Sequence, residues 1–185
     1  GQHFALARRQ QGKALARLAT SGALTAQRHM RAHGSLHRAQ QQFVVDGLFQ
    51  KFGRTGLVVS EICFGTMTFG GDGFWKVVGE QGQGEADALV RTAVDAGVNF
   101  FDTANVYSNG QSEAILGQAI DNLGLQRDQI VVAAKVHGRM GPGVNEGGQS
   151  RAHILSSVDK SLKRLKLDHV DLYQTHGYDP LTPIE

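Results

Sequence analysis

Asn99-Phe100-Phe101-Asp102-Thr103-Ala104-Asn105-Val106-Tyr107 opens as an apolar run, closes it with a carboxylate and reaches a tyrosine through a polar, turn-like segment. A buried parallel strand reads this way at its C-terminal end, where it delivers polar groups to a site. Two later runs repeat the design. Ile130-Val131-Val132-Ala133-Ala134-Lys135 ends in a lysine, and Val170-Asp171-Leu172-Tyr173-Gln174-Thr175-His176 ends in a histidine.

Between these runs lie helical patterns. Over 85–96, Ala86, Leu89, Val90, Ala93 and Val94 recur at helical spacing, and Gly97 ends the pattern. Over 111–123, Ile115, Leu116, Ala119, Ile120 and Leu123 do the same before Gly124. Ser150 is the expected N-cap of a third helix whose Ile154, Leu155, Val158, Leu162 and Leu165 face inward. Strand and helix alternate with short connections, so the sheet is expected to be parallel and the class α/β. Period-2 alternation puts Asp102, Lys135 and His176 on one face with Phe100, Val131, Ala133, Leu172 and Gln174. An apolar filling with polar groups at one rim suits the interior of a (β/α)8 barrel.

Upstream, Leu48–Phe52 and Leu57–Ser60 flank a Gly-containing turn and read as a β-hairpin. Glu61–Met67 is a short apolar strand in which Cys63 is expected to be a small core residue. The Gly-rich stretch 69–84 reads as a loop and holds the single tryptophan, Trp75. It has no G-x-G-x-x-G, and the chain has no Walker motif or G-x-S-x-G. At the other end, Thr182-Pro183-Ile184-Glu185 is a capping box with proline at the first helical position. The expectation is a barrel represented by its hairpin and first four βα units, since a full barrel takes about 250 residues.

Composition limits the alternatives. The 185 residues are 41% hydrophobic with a formal net charge of +2. The first 45 residues contain no acid, so the chain from Asp46 onward keeps 12 of the 19 basic residues and all 17 acids, a net −5. The basic excess therefore belongs to the N-terminal stretch and gives no reason to expect nucleic-acid binding. No apolar run approaches the roughly 18 residues of a membrane span. One cysteine excludes an internal disulfide, and a cytoplasmic location is expected. The stretch 1–45 resembles a mitochondrial leader in being Arg-rich and acid-free, but a translated upstream region or a misplaced start is the favoured expectation. It is expected to be a disordered or loosely helical appendage to a domain over 46–185. His29, His33 and His37 share a helical spacing there, and no metal site is expected from them.

A tyrosine is a weak acid at neutral pH, with a reference pKa of about 10. A neighbouring ammonium favours the phenolate, and a carboxylate beside the ammonium keeps it charged and oriented. A histidine can hydrogen-bond a carbonyl oxygen. Asp102, Tyr107, Lys135 and His176 together can thus donate a proton to a carbonyl as charge develops on its oxygen. The set has no nucleophile, which suits hydride transfer with the hydride supplied by a cofactor.

The stretches Phe52–Leu57, Phe64–Gly71, Asp95–Tyr107, Ser112–Gly117 and Asp171–His176 resemble the aldo-keto reductase superfamily in order and content. The resemblance covers about 49–185. It implies a (β/α)8 barrel closed at its base by the hairpin, and NADPH-dependent reduction of an aldehyde or ketone. It further implies Tyr107 as general acid, Lys135 as the residue that tunes it, Asp102 as partner of Lys135, and His176 as orienter of the carbonyl. Gly65, Thr66, Met67 and Asp102 are the implied cofactor contacts. Potassium-channel β subunits resemble the same superfamily, so a cofactor-sensing regulatory subunit is the alternative; an inactive fragment, self-associating through open barrel edges, is a further one.

Overall fold

The computed structural model describes residues 48–183. The N-terminal stretch 1–45 and Glu185 of the capping box lie outside the described residues. Thr182 is inside them, and its hydroxyl donates to Asp179 Oδ2 at 2.8 Å.

The described residues fall into two compact units. One holds residues 48–62 together with Arg91–Asn99; the other holds Cys63–Val90 and residues 100–183. In the first, β1 (Phe49–Lys51) and β2 (Val58–Ser60) form the expected antiparallel hairpin, paired Phe49 to Ser60 and Lys51 to Val58. Its turn is fastened by Phe52 N–H to Leu57 O (2.9 Å) and by the Thr55 hydroxyl to Phe52 O (2.6 Å). The Asn99 side-chain amide binds the hairpin edge in place of a strand backbone. Its Oδ1 accepts from Ser60 N–H at 2.7 Å and its Nδ2 donates to Val58 O at 3.1 Å.

In the second unit, β3 (Cys63–Gly65), β4 (Phe100–Asp102), β5 (Val131–Val136) and β6 (Leu172–Thr175) form one parallel sheet in that spatial order. Parallel neighbours need crossovers; α2 (Gln111–Asn122) and α3 (Arg151–Leu165) lie within this unit, while α1 (Gln83–Asp95) belongs to it as far as Val90 and to the first unit from Arg91. The register aligns Gly65, Asp102 and Ala133, then Ala133 with Leu172, and Lys135 with Gln174. Asp102, Lys135 and Gln174 therefore project from the same face. On the opposite face Phe101, Val132, Ala134 and Val136 are buried, and with Phe69, Leu116 and Leu165 they make the core.

Three expectations change. On α1, Ala86, Val90 and Ala93 are buried, but Leu89 is 39% exposed. On α3, Ser150 caps as expected, its hydroxyl accepting from His153 N–H at 3.2 Å. The buried row of that helix, however, is His153, Ser157, Ser161 and Leu165, while Ile154, Val158 and Leu162 are half-buried and Leu155 is exposed. Helix α2 comes close at the end of that row, where a Cβ at Gly117 would overlap the Leu165 carbonyl. The buried serines are accommodated by hydrogen bonds, with partners in His153 Nε2 and Arg164 Nη2 (both 3.3 Å). Third, Cys63 is exposed. It lies on the Asp102 face of the sheet, and partial burial, then the Asp102 charge, push its thiol up to about 11. No helix among the described residues is long and apolar enough to cross a membrane.

Candidate active site

The sheet brings Asp102, Tyr107, Lys135 and His176 together. β4 ends at Asp102, and Thr103 N–H continues the ladder by donating to Ala133 O at 2.9 Å. Lys135, at the same end of β5, reaches across and donates to Asp102 Oδ1. The same ammonium donates to Thr103 O at 3.0 Å and to the Tyr107 hydroxyl oxygen at 3.2 Å. All three of its N–H bonds are thus directed, which offsets the cost of holding a cation whose side chain is only 13% exposed. Asp102 is held at its second oxygen as well, where Gln174 Nε2 donates at 3.3 Å. Gln174 is the polar exception on the inner face of the sheet, and strand alternation was the signal that placed it there.

Tyr107 is delivered by an unusual turn. Ser108 (φ 47°) and Asn109 (φ 55°) are both left-handed, and Gly110 (φ 92°) follows. Non-glycine residues in that region cost about 1–2 kcal/mol each and persist where the surroundings hold them. Here the Ser108 hydroxyl is buried and donates to Phe69 O at 3.0 Å. The turn directs the Tyr107 ring back over the sheet, where the Lys135 ammonium lies 4.9 Å from its centroid. Two rings flank it edge-on: Trp75 at 5.8 Å and His176 at 5.5 Å between centroids. His176 follows β6 and is fixed by its N–H to Val136 O at 2.9 Å. Partial burial of its ring and the Lys135 charge hold the imidazole below its ordinary range, so it is neutral at neutral pH. A neutral imidazole has one N–H to offer an oxygen without bringing a second cation beside Lys135.

The remaining expected residues divide. Gly65 and Met67 (45% exposed) are open at the end of β3. Thr66 between them is wholly buried: its hydroxyl bonds Ser112 Oγ at 2.8 Å, and its N–H donates to Asp102 O at 3.0 Å. Thr66 therefore anchors the strand end, and its side chain has no free face for a ligand.

The aldo/keto reductase family model matches residues 61–185. The chain belongs to the aldo/keto reductase family. It is 43% identical over 139 residues to a probable voltage-gated potassium channel subunit beta of rice, covering 74% of this chain and 39% of that one. It is 41% identical over 131 residues to the aldo-keto reductase YhdN of Bacillus subtilis, covering 71% and 38%. Among solved structures it resembles the holo form of an aldo-keto reductase, AKR11C1, from Bacillus halodurans, with a TM-score of 0.57 and 34% identity over 71% of this chain and 40% of that one. The α/β fold with its parallel sheet is thus shared with a (β/α)8 aldo-keto reductase over part of that barrel. The chain spans about two fifths of the length of these relatives.

Aldo-keto reductases in general use a nicotinamide cofactor, and the end of β3 is open at Gly65. Nothing lies within 4 Å of where a Gly65 Cβ would stand. A flat ring could approach the β3 end there, with Met67 beside it and the Asp102 and Tyr107 side chains on the adjoining strand end.

Proposed function

We propose that this chain carries the proton-transfer site of an NADPH-dependent carbonyl reductase, acting on an aldehyde or ketone in the cytoplasm. The observation that carries the reading is the position of the Lys135 ammonium, held by Asp102 and 3.2 Å from the Tyr107 hydroxyl oxygen. NADPH, when bound, supplies the hydride that reduces the carbonyl carbon. Gly65 and Met67 would line its nicotinamide, and Asp102 would border it. Tyr107 gives its phenol proton to the carbonyl oxygen as that oxygen gains charge. The phenolate left behind faces the Lys135 ammonium and is reprotonated from solvent. His176 donates its N–H to the same carbonyl oxygen and fixes its direction toward Tyr107. Trp75, edge-on to Tyr107, forms an aromatic wall for the substrate.

A second reading is favoured by the 43% identity to the probable potassium channel β subunit of rice. The same groups would then serve a regulatory subunit that binds the cofactor and docks on a partner. Aldehyde-dependent oxidation of NADPH, followed by absorbance with benzaldehyde as probe, separates the two. The reductase reading expects turnover; NADPH binding without turnover would overturn it and leave the regulatory one.

A further inference from the structure

We infer that Arg164, on α3 and outside the reacting groups, is a positioning residue for Tyr107; this rests on Tyr107 being the proton donor. Tyr107 stands between two fixed points. Behind it, β4 is locked into the sheet. Ahead of it, three left-handed residues lead directly into α2, and the Gln111 N–H returns to the Ser108 and Tyr107 carbonyls. The ring direction is therefore set by where α2 begins.

Arg164 fixes that beginning twice. Its stem lies against the turn itself: a Cβ built on Gly110 would stand 2.8 Å from Arg164 Cδ and Nε. Its guanidinium holds the first turn of α2, with Nε and Nη2 each 2.7 Å from Glu113 Oε2. Glu113 is wholly buried, and its other oxygen has no protein partner. Burial raises the Glu113 pKa, against the pull of Arg164 and of the Ser161 hydroxyl, and Arg164 is the cation that faces this buried carboxyl. Removing a partner from such a pair leaves an uncompensated buried charge. Helix α2 would then shift to find water or protons, and the 108–110 turn would move with it. The reacting oxygen works within hydrogen-bond reach of its partners, and a misplacement of about 1 Å can cost on the order of 10²-fold in rate.

The test uses the full-length protein with NADPH and benzaldehyde. The double variant Glu113→Gln/Arg164→Met removes both charges together, so no buried charge is left to unfold the domain. Its kcat should fall on the order of 10²-fold, with KM and NADPH affinity within about twofold of wild type. The nuclear Overhauser contact between the Tyr107 and His176 rings should be lost, while amide protection in β4 and β5 is kept. Gly110→Ala is the second variant. It leaves the Glu113–Arg164 pair in place and strains the turn itself, because Gly110 sits at φ 92° and the added methyl presses on the Arg164 stem; since the turn sets the ring, it should produce the same ring signature. A double variant that keeps the Tyr107–His176 contact and wild-type kcat would overturn the inference, as would an unchanged contact in Gly110→Ala. If the wild type does not turn over, the donor reading falls. The ring contact then still decides whether Arg164 positions Tyr107.

Discussion

Lys135 is the residue through which the site's charges communicate. It spends one N–H on Asp102, one on the Thr103 carbonyl and one on Tyr107. Lys135→Met keeps the length of the chain and removes the charge, so the oxygen left by proton transfer loses its counter-ion. Turnover in Lys135→Met should fall about 10²–10⁴-fold, the usual scale of a lost acid–base contribution, with NADPH binding nearly preserved. Wild-type kcat in this variant would remove Lys135 from the account. The four candidate residues were legible in the sequence for one physical reason: each ends, or closely follows, a strand, and strand ends converge. Other features were not legible. Gln174 gave only its face, and its bond to Asp102 needs the register of four strands. Thr66 had the right position, but its hydroxyl is consumed by Ser112, 46 residues away. Cys63 looked like core because its neighbours in sequence are apolar, whereas its neighbours in space are the open face and Asp102.

At the level of elements, the helices were legible as helices but not always by their buried faces. Hydrophobic periodicity selects the most apolar stripe, which on α3 is Ile154, Val158 and Leu162. The stripe that is buried is His153, Ser157, Ser161 and Leu165, with Gly117 of α2 packed against the Leu165 backbone. That choice has a consequence for pH. Burial, then the Lys160 charge, holds the His153 imidazole below its ordinary 6.5. The unfolded chain therefore takes up the proton first as pH falls. Stability from this residue is complete above about 6.5 and is lost as pH falls from there through the lower folded value. Urea unfolding at pH 7.5 and 5.5 should show lower stability in acid, and His153→Gln should reduce the difference. An identical pH dependence in His153→Gln would show that this group is not responsible. The strand ends, by contrast, matched expectation within a residue or two, since Gly, Asp and Ser punctuate them.

For the molecule as a whole, the order of elements determines the chemistry. A carboxylate, a tyrosine, a lysine and a histidine far apart in sequence meet because β4, β5 and β6 run parallel side by side and end together. The parallel class was legible because strands and helices alternate; the site followed from the class. What the sequence could not convey is how firmly the tyrosine is held, which depends on a left-handed turn and on Arg164, 57 positions beyond Tyr107 by residue number. In the function proposed above, the Tyr107 hydroxyl supplies the proton in an NADPH-dependent carbonyl reduction. Tyr107→Phe in the full-length protein isolates that role, because the ring and its contacts with Trp75 and His176 remain while the proton is gone. NADPH affinity, measured by fluorescence titration, should be nearly unchanged, and benzaldehyde reduction should fall by at least about 10²–10⁴-fold. Turnover in Tyr107→Phe close to that of the wild type would mean that the proton comes from another group.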